Sequence, residues 1–400
     1  MHLQALAIFA AIIMPILGTT TRSPYSEEFT QASTQIASAS SSGVDAIAFH
    51  NVGFTGYYYD VATISNPTSS SCSCTLSNSY TVFEGSNAPL NEELSIHFRG
   101  PLSLKSFGAY MVNESSSDSW NRSSYYNAEK QTSTNITFLT HAGEASTCLG
   151  SALTYANNNG TGLASSSTLL KSNNLINSNE EFIIFSGMSC PDSGFSNSCG
   201  VYRSGIPAYH GFSGAAKMFL FEFEMPEANV SSEYYYNMPA IWFLNAKIPR
   251  TSQYGSDSSC SCWNSGCGEI DIFEVMNSST TDQLYSTIHD YQGTGDINNG
   301  IQANGYFYRN TSSTMKGGVV FGTDGTISIF MSDGIEFSTS LKTSLVSTWI
   351  SQNKEVTDTL SSVTMNTSST ASKKSDGVIG IDKSWAASVI SLVFSVFMYF

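Results

Sequence analysis

"GCGEIDIFEV", residues 266–275, sets three carboxylates, Glu269, Asp271 and Glu274, among Ile270, Ile272, Phe273 and Val275. Only 12% of the chain is charged, so this crowding of acids in an apolar run needs a physical reason. Wound as a helix at about 100° per residue, the acids fall near 0°, 200° and 140°, and the apolar residues scatter round the cylinder without forming a face. A strand separates them better. Side chains alternate, so Glu269 and Asp271 share one face while Ile270 and Ile272 share the other. Glu274 would then point with the isoleucines, where an unpaired carboxylate costs several kcal/mol or takes up a proton. One extra residue near Ile272–Phe273, a β-bulge, returns Glu274 to the acidic face and Val275 to the apolar one.

The expectation is therefore a kinked strand carrying three acids in line. The outer two are about 13 Å apart at their Cα atoms, a gap that long side chains narrow. Retaining glycosidases hold two carboxyl groups about 5–5.5 Å apart, one as nucleophile and one as acid/base. Asp271 between them would raise the pKa of a neighbour, which a general acid near neutral pH requires. Two plainer readings compete. The solvated face of any exposed strand shows the same alternation. A calcium site could use the same acids, but the regular oxygen-ligand loop is missing.

Working outward, strand-like runs recur across residues 137–350: "EFIIFSG", "KMFLFEFEM", "PAIWFLNAK", "LYSTIHDY", "GYFYRN", "GGVVFGT" and "TISIFMSD". Many short β-branched and aromatic runs, parted by turn residues and with little helical periodicity, indicate a sandwich or barrel. Upstream, "FTGYYYDVATI", "YTVFEG", "LSIHFRG" and "SLKSFGAYMV" read as a smaller β-rich companion module over 43–112. The polar stretch 113–136 reads as a linker, and the Ser/Thr-rich segments 19–42 and 351–375 as a disordered lead-in and a stalk.

The ends read as processing signals. Residues 1–18 are apolar from Leu3 and end on Gly18, as in a secretory signal peptide. Ser375, Asp376 and Gly377 are followed by a spacer and an apolar tail, so 376–400 reads as a removed GPI-attachment signal with Ser375 as the lipid-bearing residue. Eight Asn-x-Ser/Thr sequons and eight cysteines suit an oxidising, exported setting. Cys190 and Cys199 are close enough to close a small loop, whereas the trio Cys260, Cys262 and Cys267 must send a partner elsewhere if all pair. No Cys/His spacing suggests a metal. A net charge of −15 offers no basic footprint for nucleic acid, and leaves neutral polymers such as glucans as candidate partners.

"GEIDIFE" resembles the Glu-x-Asp-x-x-Glu signature of glycoside hydrolase family 16, the laminarinase-like β-glucanases. "NMPAIWFLNAKIPRTSQYG" (237–255) and "STIHDY" (286–291) resemble the flanking segments in that family. The chain is similar more closely to the Tos-one-like glycosyl hydrolases of fungal cell walls, through "NEELSIHFRGPLSLKSFGAY", "EFIIFSG", "YHGFSGAAKMFLFEFEMP" and "CSCWNSGCGEIDIFEV". The resemblance implies a concanavalin-like β-sandwich jelly roll, all-β, with activity on β-1,3-glucan at the cell surface and no cofactor. It implies Glu269 as nucleophile, Glu274 as general acid/base and Asp271 as the residue tuning both, with Trp242, Trp263 and His289 lining the glycone side. Tyr234–Tyr236 could add a platform at the cleft edge. Where laminarinases carry a late-strand tryptophan, this chain has Phe330. A monomer is expected, held to the membrane only through its lipid. The alternatives are a glucan transglycosylase using the same carboxylates and a non-catalytic wall protein or lectin.

Overall fold

The computed structural model describes residues 29–31, 43–112, 118–229, 235–356, 360 and 363–365. It is an all-β sandwich of two large sheets. The first sheet runs, by hydrogen-bonded neighbours, Leu163–Ala164, Thr154–Ala156, Ile136–Thr140, Glu181–Ser186, Leu94–Arg99, Ala240–Asn245, Glu269–Glu274, Gln283–His289 and Ile301–Gln302, with Phe307–Tyr308 also on Gln283–His289. The second runs Ser340–Lys342, Ser119–Asn127, Ser103–Val112, Lys217–Glu224, Met315–Phe321, Ile327–Met331, Ala46–Phe49 and Lys354–Val356. Strands with alternate apolar residues bury one row each between the layers: Ile96 and Phe98, Phe182 and Ile184, Ile241 and Phe243, facing Phe219, Phe221 and Val319. Such interdigitated inner faces are the main source of stability in a sandwich.

The expected companion module over 43–112 is not a separate body. Leu94–Arg99 lies between Glu181–Ser186 and Ala240–Asn245 in the middle of the first sheet. Ser103–Val112 lies between Ser119–Asn127 and Lys217–Glu224 in the second. Local patterning shows a strand but not its partners, so chain order suggested a boundary that pairing abolishes. Within the expected linker over 113–136, Ser119–Asn127 is a strand and Thr132–Thr134 pairs with it. Trp120, Ser124 and Tyr126 are buried along it, but serines and asparagines between them hide the alternation. At the start of the expected stalk, Lys354–Val356 pairs in parallel with Ala46–Phe49, and Leu360 is buried against the core. Within the expected lead-in, Phe29–Gln31 pairs with Val363–Met365. The expected signal peptide, Ser375 and the 376–400 tail lie outside the described residues.

A third, two-stranded unit, Gly56–Ser65 with Ser73–Phe83, packs its aromatic residues on the open face of the first sheet. Tyr57, Tyr58 and Phe83 meet Trp242, Leu244 and Tyr291 there. Tyr58 Oη donates to Glu92 at 2.8 Å, and Lys247 Nζ donates to Tyr58 Oη at 2.9 Å and to Asp60 at 3.0 Å. Disulfides Cys72–Cys148 and Cys74–Cys260 staple the hairpin tip to neighbouring loops. Cys190–Cys199 closes a small loop, as its spacing suggested, and Cys262–Cys267 leaves Cys260 to pair elsewhere in the chain.

Candidate active site

The Glu269–Glu274 strand is kinked where the acidic pattern required it. Toward Ala240–Asn245, Trp242 pairs with Asp271 and Ile241 pairs with Phe273, so Ile272 is the extra residue. Toward Gln283–His289, Asp271 pairs with Thr287 and Glu274 with Tyr285, again one residue long on the acidic strand. Ile270, Ile272, Phe273 and Val275 are all fully buried in the core between the sheets. The bulge thereby spends two consecutive apolar residues on one face and returns Glu274 to the side of Glu269 and Asp271. A regular strand would have buried a carboxylate among phenylalanines, so burial of Phe273 and solvation of Glu274 are satisfied by one backbone irregularity.

Each carboxylate has a distinct partner. Trp263, from a single 3-10 turn at Trp263–Ser265, donates its indole N–H to Glu269 Oε2. His289 Nε2 lies 3.1 Å from Asp271 Oδ2 and its Nδ1 lies 2.7 Å from the Ile297 carbonyl. The Ile297 carbonyl can only accept, so Nδ1 donates to it, and a carboxylate facing Nε2 favours the doubly protonated ring. Burial opposes that charge, but the Asp271 hydrogen bond and the charges of Asp271 and Glu269 push His289 up to about 10. Arg99 Nη2 donates to Glu274 Oε1 at 3.0 Å. Its Nε donates to the Met238 carbonyl at 2.8 Å, and its guanidinium carbon stands 4.7 Å over the Tyr235 ring, so the arginine is fixed from three directions.

These surroundings tilt the carboxyl chemistry. Burial first, then the charge of Asp271, push Glu269 up to about 8, against His289 and the Trp263 N–H. The same two causes push Glu274 up to about 7, against Arg99. Three acids on one face cannot all ionise near neutrality. Arg99 favours the ionised form of Glu274, while Trp263 and His289 favour that of Glu269. The arrangement can therefore hold one glutamate protonated beside another that is charged, which is the pairing that glycosidic bond cleavage uses.

Of the sequence-derived positions, Glu269, Asp271, Glu274, Trp242, Trp263 and His289 come together on this face. Trp242 is only 6% exposed, with its ring stacked on that of His97 at 5.1 Å, so it floors the site more than it projects into it. Tyr235 meets the site through Arg99, while Tyr236 donates to the Ala228 carbonyl and Tyr234 lies outside the described residues. Phe330 is elsewhere: it sits in the second sheet, stacked on Trp349 at 5.9 Å, and supplies nothing to this face. Sequence reasoning missed Arg99, His97 and Glu181. For His97 and Arg99 the alternation was visible in "LSIHFRG", where they alternate with Ile96 and Phe98 just as Glu269 and Asp271 alternate with isoleucines, but nothing local tied them or Glu181 to the acidic strand.

Fold and site together define an all-β sandwich protein with a carboxylate-lined open face. The sequence profile described as "Cell wall protein YJL171C/Tos1, C-terminal" matches residues 118–349, and its N-terminal counterpart matches residues 45–112. The chain belongs to this Tos1/YJL171C family of cell wall proteins. It is 52% identical over 351 residues to the Candida albicans "Probable circularly permuted 1,3-beta-glucanase PGA52", covering 86% of this chain and 91% of that protein. It is 49% identical over 356 residues to the Saccharomyces cerevisiae protein of the same description, YJL171C, covering 86% and 89%. The Saccharomyces cerevisiae protein TOS1, also so described, is 33% identical over 431 residues, covering 77% and 90%. No solved structure matches the chain.

Proposed function

We propose that this protein is a cell-wall glycoside hydrolase that cleaves β-1,3-glucan with retention of anomeric configuration. The observation that carries the reading is the Ile272 bulge, which turns Glu269, Asp271 and Glu274 to one face and pairs each with a different partner. The names of the relatives, probable 1,3-beta-glucanases, support the substrate class. In this reading Glu274 protonates the leaving glycosidic oxygen while Glu269 attacks the anomeric carbon. Glu274, now a carboxylate, takes a proton from the water that releases the sugar from Glu269. Asp271, neutralised in part by His289, keeps its neighbours' proton affinity high while adding only part of its charge to the cleft. Trp263 orients Glu269 through the indole N–H.

The test is incubation of the purified chain with laminarin, wild type beside Glu269→Gln and Glu274→Gln. Sugar release by the wild type alone supports the reading, and equal background release from all three ends it. Export and lipid attachment at Ser375 belong to the same proposal. Phosphatidylinositol-specific phospholipase C should release the protein from intact cells, and retention of the protein after that treatment would remove the lipid from the account.

A further inference from the structure

Ser95, His97 and Glu181 form a hydrogen-bonded chain that the carboxylate chemistry does not use. Ser95 Oγ lies 2.9 Å from His97 Nε2, and His97 Nδ1 lies 2.8 Å from Glu181 Oε1. The order is that of a serine hydrolase triad, but Ser95 and His97 are both 0% exposed, and no substrate carbonyl could reach the hydroxyl. Burial lowers the His97 pKa, against the hydrogen bond and charge of Glu181, and so favours the neutral ring. A proton on Nδ1 goes to Glu181, and Nε2 faces the Ser95 hydroxyl, which also reaches the Leu244 carbonyl at 3.3 Å. Burial also works against the charge on Glu181, but the hydrogen bonds from His97 and Tyr254 and the charges of His97 and His141 together outweigh it and bring its pKa below the ordinary value.

The chain ends in the open. The second oxygen of Glu181 accepts from Tyr254 Oη, and Gln253 Nε2 bridges Glu181 at 3.2 Å and Tyr254 Oη at 2.7 Å. Tyr254 as a residue is 59% exposed, and its ring is braced edge-on by His141, with centroids 5.5 Å apart. Its place relative to the carboxylates follows from the sheet: Glu181 pairs with Arg99, Arg99 pairs with Ala240, and Ala240 pairs with Glu274. Arg99 also touches Glu274 directly, and the charges of Arg99 and Glu269 both act on the Tyr254 hydroxyl.

We propose that Tyr254 is a fixed aromatic platform for a sugar residue of a neutral β-linked glucan, at a subsite beyond Arg99 on the side of the sheet away from His289. The proposal rests on the glucan reading given above. Sugar rings present apolar C–H faces that stack on aromatic rings, and a ring immobilised before binding loses little freedom when the sugar arrives. A polymer lying across the strands would cover Glu274, Arg99 and Tyr254 in turn. The buried Ser95–His97–Glu181 chain is the strut that holds the platform, and these three are positioning residues.

The experiment is affinity electrophoresis in gels containing laminarin, using the Glu269→Gln background so that the polymer survives. Tyr254→Ala should weaken retardation about tenfold, the loss of one stacking contact. Tyr254→Phe keeps the ring and should stay within about threefold of its parent. Because Tyr254 is exposed, neither change removes core packing, and equal melting temperatures check this. Retardation of Tyr254→Ala equal to its parent would overturn the platform alone. So would a loss in Tyr254→Phe as large as in Tyr254→Ala, since the hydroxyl and not the ring would then carry binding. Failure of the Tyr254-intact parent to be retarded by laminarin at all would overturn the glucan reading and the platform with it.

Discussion

Arg99 and Glu274 set the sharpest constraint at the level of single residues. In the general-acid role proposed for it, Glu274 must hold a proton, yet the arginine beside it favours the carboxylate. The two demands fit if Arg99 limits how far burial and Asp271 raise Glu274, keeping it near neutrality so that it gives its proton up and later takes one back. Replacing Arg99 with Met removes the only cause that lowers Glu274 by direct contact, so the acid gains proton affinity. The alkaline limb of kcat/KM should move to higher pH, with a fall in maximal rate of about tenfold to a hundredfold from lost orientation of the acid. An unmoved limb would separate Arg99 from the acid's titration. Stability gives a second test. Glu269 has its folded pKa raised above the ordinary 4.5, so the folded state is favoured below that value and loses this share of stability as pH rises through the raised pKa. Glu269→Gln can still accept from the Trp263 indole. Its melting temperature should therefore exceed that of the wild type at pH 8 and match it near pH 4.5.

At the level of elements, the bulge is both the most legible feature and the most consequential. It was readable because a violation of strict alternation, Glu274 after Phe273, has one cheap structural solution. Deleting Ile272 would restore a regular strand in which Glu269, Asp271 and Glu274 still share a face, but with Glu274 about 3.3 Å closer to Glu269. The chain should fold with a loss of about 2–5 kcal/mol for the buried isoleucine, while turnover falls to background. Activity near wild type in that deletion, measured beside thermal melting, would mean that the spacing is immaterial. The Ser119–Asn127 strand shows why other elements were unreadable. Ser119, Asn121, Ser123 and Asn127 stand outside the buried row and Ser124 within it, so hydrophobic alternation is absent even though Trp120 and Tyr126 are buried. Arg99 and Glu181 were hidden for a different reason: their importance comes from pairing across strands remote in sequence.

The whole molecule is governed by how the chain interleaves. Three strands from residues 43–112 sit inside the two sheets, Leu94–Arg99 in the first and Ser103–Val112 and Ala46–Phe49 in the second, so the 118–349 segment alone would leave a gap in each. Expressed alone, that segment should lack a cooperative melting transition by circular dichroism. A compact, cooperatively melting fragment would contradict the topology. All-β class and the position of the acidic strand were available from local patterning, but sheet order was not, because no short-range signal places Leu94–Arg99 beside Ala240–Asn245. The buried cluster around Glu93 ties these distant parts together. Glu93 accepts from His210 at 2.5 Å and from Arg250 at 3.0 Å, and Arg250 is 1% exposed. Burial opposes its charge, but the His210 hydrogen bond and the Arg250 charge hold Glu93 down to about 2. Its stabilising share is thus present above the ordinary 4.5 and lost as pH falls through about 2. Glu93→Gln strands the arginine and should cost about 3–5 kcal/mol in chemical denaturation at pH 7.

The central claim is that Glu269 forms a covalent bond to the sugar while Glu274 handles the proton. A 2-deoxy-2-fluoro laminaribiosyl fluoride would slow release of that intermediate, and mass spectrometry of the digested protein would locate it. The account predicts one added disaccharide on the peptide bearing residues 266–275, at Glu269, with labelling abolished in Glu269→Gln. Label on another carboxylate, or rapid laminarin hydrolysis with inversion and no label anywhere, would contradict it.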